Sequence, residues 1–241
     1  MIAILSDFGH SEYLGVMKGV IRKTYPEAQI TDLYNDVKAQ NILEGAWILL
    51  KSYSHFPKGT VFLAVVDPGV GGKRNPIAIK TKDYYFVGPD NGLMYPAASD
   101  NGITKVIKLS DKGASKTFQG RDVFAGIAAR IAKGERFEKL GHAVKLQNKL
   151  DFRPKGREGK IVRVDTFGNI ITNLSPLKKK EYQLQYEHRD EKIPYFESYE
   201  AASPDQLFVI TGSADTLEIA LKNGSAFDNL PVKIGDKIVI K

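Results

Sequence analysis

Four short polar clusters in the first part of the chain carry residue types that bind and activate small molecules. They combine carboxylates, arginines or amides with glycines, and they are Ser6–Gly9, Asp67–Arg74, Gly88–Gly92 and Thr117–Asp122. The first three follow predicted strands, and ligands of parallel α/β sheets lie at the carboxyl ends of strands. Carboxylates accept hydrogen bonds, and glycines let the backbone approach a ligand closely. We therefore expect the clusters to share one site.

Each cluster also has a purely structural interpretation. An aspartate at a strand end, such as Asp7, serves equally well as a helix N-cap or turn former. Asp67 and Arg74 equally form an ion pair within their own loop, and Gly168–Asn169 fits a hairpin turn. Residue types alone leave these alternatives open.

Several kinds of chemistry are excluded by missing motifs. Gly72–Lys73 is followed by Arg74, where a P-loop needs Ser or Thr, and Gly69–Val70–Gly71 is not followed by the third glycine of a dinucleotide fingerprint. The chain has no cysteine, four scattered histidines and no GxSxG segment. We therefore expect no disulfide, no metal site and no serine hydrolase triad.

The first 150 residues alternate strand and helix patterns, which predicts an α/β domain with a mainly parallel sheet. The predicted strands are Ile2–Ser6, Gln29–Leu33, Thr60–Val66, Ile77–Lys80, Tyr84–Val87 and Lys105–Leu109. The predicted helices are Tyr13–Lys23, Ile42–Tyr53 and Arg121–Lys133. These elements place the polar clusters at strand ends and before the last helix.

The composition changes at residues 145–158, a polar stretch that we interpret as a linker. Beyond it, helix patterns nearly vanish and short strands alternate with turn residues. These strands are Lys160–Asp165, Ile170–Leu174, Gln183–Tyr186, Leu207–Thr211, Thr216–Leu221 and Lys237–Ile240. The pattern predicts a smaller all-β, barrel-like domain. We therefore predict two domains, residues 1–150 and 151–241.

The formal charge is +7, from 35 basic and 28 acidic residues. The basic residues are scattered, and the densest run, Lys178–Lys180, is followed by Glu181, which indicates a solvated surface rather than a nucleic-acid stripe. The N-terminus lacks a signal-peptide pattern, and no apolar stretch approaches the ~20 residues of a membrane span. We expect a cytoplasmic protein that binds neither nucleic acid nor membrane.

Six ordered segments of the chain resemble the S-adenosyl-L-methionine (SAM) hydroxide adenosyltransferases, also called adenosine-forming SAM hydrolases. This family is related to the fluorinases and chlorinases. The similar segments are SDFGHSEYLGVMKG (6–19), VVDPGVGGKRNPIAI (65–79), FVGPDNGLMYP (86–96), TFQGRDVFAGIAA (117–129), DTFGNIITN (165–173) and GSADTLEIALKNGSA (212–226). They occur in the same order and span both predicted domains, so together they are more specific than any single motif.

The resemblance implies an enzyme that displaces methionine from C5′ of SAM with water or hydroxide, yielding adenosine and L-methionine. SAM is then a substrate, and neither a cofactor nor a metal is implied. The resemblance also implies a homotrimer. Its sites would lie at subunit interfaces, between the α/β domain of one subunit and the β domain of its neighbour.

The resemblance also implies catalytic residues, because the family assigns water activation to an Asp–Arg–His set. Asp67 and Arg74 match the first two members. Arg74 would stabilise hydroxide character, and Asp67 would orient the water or accept its proton. The third position departs from the family, since Gln119 stands where the segment TFHGRD has histidine. Glutamine does not titrate near neutrality, so we expect Gln119 to position the water without taking its proton.

Six further residues are implied to bind the substrate: Asp7, Glu12, Gly120, Phe167, Asn169 and Ser213. Asp7 would accept both ribose hydroxyls, and Ser213 would hold the methionine carboxylate. Glu12 lies near the family's ammonium-binding aspartate, although the segment is one residue shorter here. Asn169 resembles an adenine-edge contact, with Phe167 or a nearby apolar residue flanking the ring. Asp90 and Asn91 lie in a family segment but receive no role.

Two other functions stay open beside hydrolysis, and a basic nucleic-acid binder, which would need a strongly salt-dependent affinity for DNA or RNA, ranks third behind them. One is a SAM- or adenosine-binding protein that lost turnover when Gln119 replaced histidine. The other is a related enzyme with a halide nucleophile, which the negative charge of Asp67 beside an anion site disfavours.

Overall fold

The computed structural model describes residues 1–241, which form two compact units, Met1–Leu150 and Asp151–Lys241. The boundary lies within the polar segment 145–158. No helix has both the length and the apolar character that a membrane crossing requires.

The N-terminal unit contains seven strands and four α-helices. The strands are β1 (Ile2–Ser6), β2 (Ile30–Tyr34), β3 (Val61–Val65), β4 (Pro76–Thr81), β5 (Tyr85–Pro89), β6 (Ile103–Leu109) and β7 (Gly141–Ala143). The helices are α1 (Glu12–Thr24), α2 (Ile42–Ser52), α3 (Tyr95–Asp100) and α4 (Gly126–Ala132), with short 3₁₀ segments at Tyr53–His55 and Phe137–Lys139. A π-helical turn, Gly120–Ala125, leads directly into α4.

The sheet of this unit has the strand order β2-β1-β3-β5-β4-β6-β7. The first four strands are parallel, and β4, β6 and β7 pair antiparallel. The predicted α/β class with a mainly parallel sheet is confirmed. The chain moves from β1 outward to β2 and then returns past β1 to β3, so the connections reverse direction between β1 and β3. Ligands of such sheets lie in the crevice at this reversal.

Both faces of the sheet are covered by helices, which explains why β1 and β3 are buried throughout. On one face, α1 and the segment from the π-turn into α4 contribute Met17 and Phe124 to a core with Ile4. On the other face, α2 approaches so closely that a Cβ at Gly45 would lie 3.5 Å from Leu5. Successive side chains of a strand point to opposite faces, so both layers are filled from the same apolar run.

The C-terminal unit contains seven strands and one short helix. These elements are β8 (Glu158–Val164), β9 (Ile170–Thr172), β10 (Glu181–Tyr186), β11 (Arg189–Pro194), β12 (Leu207–Thr211), β13 (Leu217–Leu221), α5 (Ala226–Asn229) and β14 (Lys237–Ile240). The antiparallel order is β11-β10-β14-β8-β9-β13-β12. Just after β11, the Phe196 N–H donates to the Val209 carbonyl of β12 at 3.0 Å. This contact brings the edge strands together, which confirms the barrel-like prediction.

Sequence patterns missed four short elements: β7, α3, β11 and α5. Strand β11 has four exposed polar residues in a row, so it lacks the alternation that marks a half-buried strand. Helix α3 has six residues, too few for a helical period to show. The predicted helix Arg121–Lys133 is present, but its first part is the π-turn rather than regular α-helix.

Candidate active site

A pocket of 680 Å³ in the N-terminal unit lies at the carboxyl ends of β1 and β3. Its polar and aromatic lining residues are Asp7, Phe8, Ser11, Tyr13, Gln40, Asp67, Ser115, Thr117, Phe118, Gln119 and Arg121, and Gly120 also lines it. Three of the four polar clusters therefore contribute to one pocket. It lies where the sheet connections reverse, the position expected for a ligand site.

Asp67 and Arg74 form a buried bidentate ion pair. The Arg74 Nε donates to Asp67 Oδ1 at 3.0 Å, and Nη2 donates to Oδ2. Their side chains are only 5% and 8% exposed, respectively. Asp67 lines the pocket, whereas Arg74 lies behind it, with its guanidinium 5.5 Å from the Phe124 ring centre. The loop ion pair considered as a structural alternative is thus real, and it also borders the pocket.

Gly71 lets the loop that carries this pair pack against the segment that carries Gln119. Its φ of 71° lies in the left-handed region, and a Cβ there would collide with the Lys116 carbonyl. Only glycine fits both requirements without strain. This contact explains how two clusters about 50 residues apart come to border one pocket.

Gln119 is buried, with 5% exposure, at the start of the π-turn. Its Oε1 has no hydrogen-bond partner in the chain, and neither does the buried Oγ of Ser11. Both residues line the pocket. An unpartnered buried acceptor costs about 1–3 kcal/mol, so both atoms are suited to bind a ligand or a water molecule. The next residue, Gly120, has little room for a side chain, because a Cβ there would lie 2.9 Å from Met17 Sδ.

Asp7 borders the same pocket and is tied to the loop before α2. Its Oδ2 accepts a hydrogen bond from the Gln40 N–H at 2.8 Å. Asp7 is not a helix N-cap, because that position of α1 belongs to Ser11, whose side chain makes no capping bond. The contact leaves the second carboxylate oxygen for a ligand.

An aromatic group was not predicted from the sequence. The rings of Phe8, Tyr13 and Phe118 lie 5.1–6.0 Å apart and line the pocket. Tyr13 is 47% exposed. The sequence could have indicated this group, because each of the three aromatic residues lies within or close to a polar cluster. The ring planes are inclined 58–84° to one another, and the group gives the pocket an apolar wall.

Glu12 is not brought into the pocket. It is exposed in the first turn of α1, while Ser11 and Tyr13 on either side line the pocket. A carboxylate in this position is favourable to the helix dipole. The ammonium-binding role implied for Glu12 therefore has no support from this unit's geometry.

A second pocket, of 880 Å³, lies in the C-terminal unit. It is lined by the three residues predicted in this domain, Phe167, Asn169 and Ser213. Phe167 is 78% exposed, so its ring is free to pack against a planar ligand. The structure thus groups most of the predicted residues by unit: the first pocket is lined by Asp7, Asp67, Gln119 and Gly120, and the second by Phe167, Asn169 and Ser213.

Asn169 is held by its neighbours in a fixed orientation. Its backbone N–H donates to Asp165 Oδ1 at 2.9 Å, and its Nδ2 donates to Asp165 Oδ2 at 2.9 Å. Nδ2 also donates to the Tyr199 hydroxyl at 3.2 Å. The turn considered as a structural alternative is present as well, because the Gly168 N–H donates to the Asp165 carbonyl at 3.1 Å and the Asp165 N–H donates to the Asn169 carbonyl at 3.0 Å. Since both amide hydrogens have partners, Asn169 offers the pocket its side-chain oxygen, an acceptor.

Glu218 is a buried carboxyl in this pocket that sequence analysis missed. It is 6% exposed in β13, within the apolar run LEIAL, which hides it from pattern analysis. Burial first, and then the charge of Asp165, raises its pKa above the usual value, against the opposing effects of Tyr199 and Arg163. Burial and the nearby carboxyls raise the pKa of Tyr199 to about 12. Tyr199 therefore stays a hydrogen-bond donor at neutral pH.

Glu218→Gln is expected to raise the melting temperature relative to the unchanged protein more at pH 8 than at pH 4.5. A carboxyl with a raised folded pKa stabilises the fold fully below its unfolded pKa of 4.5, and this contribution is lost as the pH rises through the folded pKa. Each 1 kcal/mol corresponds to about 2–4 °C. Thermal unfolding followed by circular dichroism measures the difference, and an equal difference at both pH values would contradict the raised pKa.

The remaining cluster, Gly88–Gly92, lines neither pocket. No group of three or more His, Cys, Asp or Glu side chains is arranged to hold a metal ion.

Comparison with known proteins identifies the class to which this fold and these pockets belong. The SAM hydroxide adenosyltransferase N-terminal domain matches residues 2–141, and the C-terminal domain of the same family matches residues 159–239. The chain therefore belongs to the SAM hydroxide adenosyltransferase family.

Individual relatives agree with this assignment. The chain is 39% identical over 194 residues to the (R)-S-adenosyl-L-methionine hydrolase of Methanocaldococcus jannaschii, covering 77% of this chain and 70% of that protein. It is 32% identical to the protein of the same name from Salinispora arenicola, covering 98% and 96%. A crystal structure of an uncharacterized conserved protein from Thermotoga maritima superposes with a TM-score of 0.92 at 34% identity, covering both chains fully.

Proposed function

We propose that this protein is a hydrolase that converts SAM, in the (R)-sulfonium form named in its relatives, to adenosine and L-methionine. The observation that carries the proposal is the buried Asp67–Arg74 pair at the edge of the pocket. The family membership and the names of relatives that cover most of the chain support it. SAM is the substrate, and the proposal includes no cofactor or metal.

In the proposed reaction, water attacks C5′ of the ribose in line with the bond to sulfur. The new bond joins the water oxygen to C5′ as the C5′–S bond breaks, and its electron pair goes to sulfur. The positive sulfonium thereby leaves as the neutral thioether of methionine and needs no general acid. The water loses one proton, which Asp67 accepts and passes to solvent. Arg74 fixes the carboxylate and favours the developing hydroxide.

Gln119 is proposed to position this water. Its unpartnered Oε1 is a hydrogen-bond acceptor at the pocket, so it can bind a water hydrogen without removing it. Holding the water in line with C5′ raises the rate by itself, because binding then covers the free-energy cost of bringing the two reactants together and orienting them.

Substrate binding is proposed to use residues of both pockets. Asp7 would accept the ribose hydroxyls, and Ser213 would hold the methionine carboxylate. Asn169 would accept a hydrogen bond from the adenine edge, with Phe167 against the ring. Gly120 would let the ligand approach the backbone, and Glu12, whose neighbours Ser11 and Tyr13 line the pocket, would pair with the ammonium.

The proposal includes a cytoplasmic homotrimer, in which the α/β unit of one subunit and the β unit of its neighbour share a substrate. The division of the binding residues between two pockets on separate units supports it. Sedimentation equilibrium tests it directly, with a mass near three times the 26.7 kDa of the chain as the supporting result. A monomer that hydrolyses SAM would reject it.

Replacing Gln119 with histidine is expected to leave kcat unchanged or to raise it, because imidazole both hydrogen-bonds the water and accepts a proton. The variant should also gain a dependence on pH near the ordinary histidine pKa of ~6.5, since only its neutral form accepts. Steady-state rates between pH 5 and pH 9 measure both effects. Collapse of activity would show that the amide has an essential role of its own.

The second candidate is a SAM-binding protein without turnover, which the glutamine at position 119 favours. Incubation with each sulfonium epimer of SAM, followed by chromatography, separates the two functions. The proposal predicts adenosine and methionine in equal amounts, formed faster from the (R) epimer and unaffected by added chloride. Tight binding without adenosine would establish the binding protein, and a chlorinated nucleoside would establish a halide-using enzyme.

A further inference from the structure

Residues Gly88–Gly92, here called the 88–92 turn, contact the loop that carries the proposed catalytic pair. The Asn91 Nδ2 donates to the Val66 carbonyl at 2.8 Å, immediately before Asp67. The Asp90 N–H donates to the Asn75 carbonyl at 2.9 Å, immediately after Arg74. Two adjacent residues of the turn thus hold both ends of the loop.

The bond from Asn91 lies where the sheet ladder ends. Strand β3 stops at Val65, so a side-chain donor takes over at the carbonyl of Val66, which is fully buried. A buried carbonyl without a partner is costly. Asn91 is itself oriented, because its Oδ1 accepts the Leu93 N–H at 3.1 Å.

Asp90 connects the same turn to the polar segment that precedes the C-terminal unit. Its side chain is fully buried, with 1% exposure for the residue, and accepts the N–H of Gln147 at 3.0 Å and of Asn148 at 3.3 Å. The Asn148 Nδ2 donates to the Asp90 carbonyl at 2.6 Å. A buried carboxylate with these partners is a rigid anchor, so the turn is fixed by residues that line neither pocket.

We propose that Asn91 and Asp90 are positioning residues that hold Asp67 and Arg74 in their reactive geometry. The inference rests on the proposed function of that pair. The loop between the two contacts contains Gly69, Gly71 and Gly72, so its backbone has more conformational freedom than other loops. Fixing both ends limits that freedom without any contact to the substrate. A displacement of ~1 Å at a catalytic group costs about 100-fold in rate.

Asn91→Asp and Asn91→Ala test the inference. Aspartate keeps the size and the acceptor for Leu93 but loses the donor to Val66, and alanine loses both. We expect kcat to fall about 10–100-fold in each variant, with KM for SAM within about twofold of the unchanged enzyme. A folded Asn91 variant with unchanged kcat would overturn the inference. A rise of about 10–100-fold in KM with kcat unchanged would also overturn it.

The control is Asn101→Ala, at a residue of the same type in the same unit. Asn101 accepts the Asp83 N–H at 2.9 Å and donates to Asp83 Oδ2 at 3.2 Å, remote in sequence from the catalytic loop. We expect it to lower the melting temperature and leave kcat unchanged. An equal loss of kcat in Asn101→Ala would show a general effect of stability and reject the positioning role.

Hydrogen–deuterium exchange separates this inference from the proposed function. In Asn91→Asp, peptides covering residues 66–75 should exchange faster than in the unchanged protein, while those of β1 should not. This result is expected whatever reaction the pocket performs. Unchanged exchange in residues 66–75 would overturn the inference even if SAM is hydrolysed, whereas absence of adenosine from the unchanged protein would reject the proposed function alone.

Discussion

Asp67→Ala is expected to lower kcat for SAM hydrolysis by at least about 100-fold while SAM still binds. The Asp67 carboxylate is assigned both proposed tasks, orienting the water and taking its proton, and Gln119 cannot replace it as a base, because an amide does not titrate near neutrality. The substitution also leaves Arg74 buried without its partner, which costs about 3–5 kcal/mol of stability. Asp67→Asn is therefore the companion variant, since it keeps the shape and removes the charge.

Adenosine release measures turnover, and isothermal titration with SAM measures binding in the same preparations. Glu135→Ala is the matched control, because Glu135 accepts two bonds from Arg130, at 2.6 and 2.7 Å, in an exposed bidentate pair. It should leave kcat unchanged. Full turnover by a folded Asp67→Ala or Asp67→Asn protein would reject the proton-accepting role.

Asp7→Ala is expected to weaken SAM binding by about 30-fold or more, with a smaller effect on kcat at saturation. Each hydrogen bond to a charged group contributes about 1.5–3 kcal/mol, and the ribose offers two hydroxyls. Asp7 also accepts the Gln40 N–H, so a loss of affinity by itself would not separate ribose binding from support of the loop.

A substrate lacking the 2′-hydroxyl separates these two roles. The unchanged protein should bind 2′-deoxy-SAM more weakly than SAM, whereas Asp7→Ala should bind both about equally, because the acceptor for the hydroxyl is gone. This double comparison isolates the interaction between the side chain and the hydroxyl. If both proteins discriminate equally between the substrates, Asp7 does not contact that hydroxyl.

The parts of the site that lie at strand ends were predictable from the sequence. Strands β1 and β3 are covered on both faces, so they appear as uninterrupted apolar runs whose ends are clear. Asp7 and Asp67 follow those ends, and the reversal of the sheet connections brings them to one pocket. Gln119 was located through the similarity of its segment to the family, and its orphaned Oε1 became visible only in the structure.

Contacts between residues remote in sequence were not predictable. Asn91 lies 25 residues from Val66, and no local pattern marks a side-chain bond to a carbonyl that distant. Glu218 occupies a strand position that pattern analysis counts only as an interruption of an apolar run. Tyr199 precedes β12 in a turn-rich stretch, so its contact with Asn169 depends on how the barrel closes. Glu12 was matched to its family position across a segment of different length, so its role stays a prediction.

In the proposed reaction, a water oxygen replaces sulfur at C5′. Hydrolysis of SAM in water enriched in ¹⁸O, with mass spectrometry of both products, tests this most directly. One ¹⁸O atom is expected in the 5′-hydroxyl of adenosine and none in methionine. Unlabelled adenosine, or cleavage to methylthioadenosine or adenine instead, would contradict it.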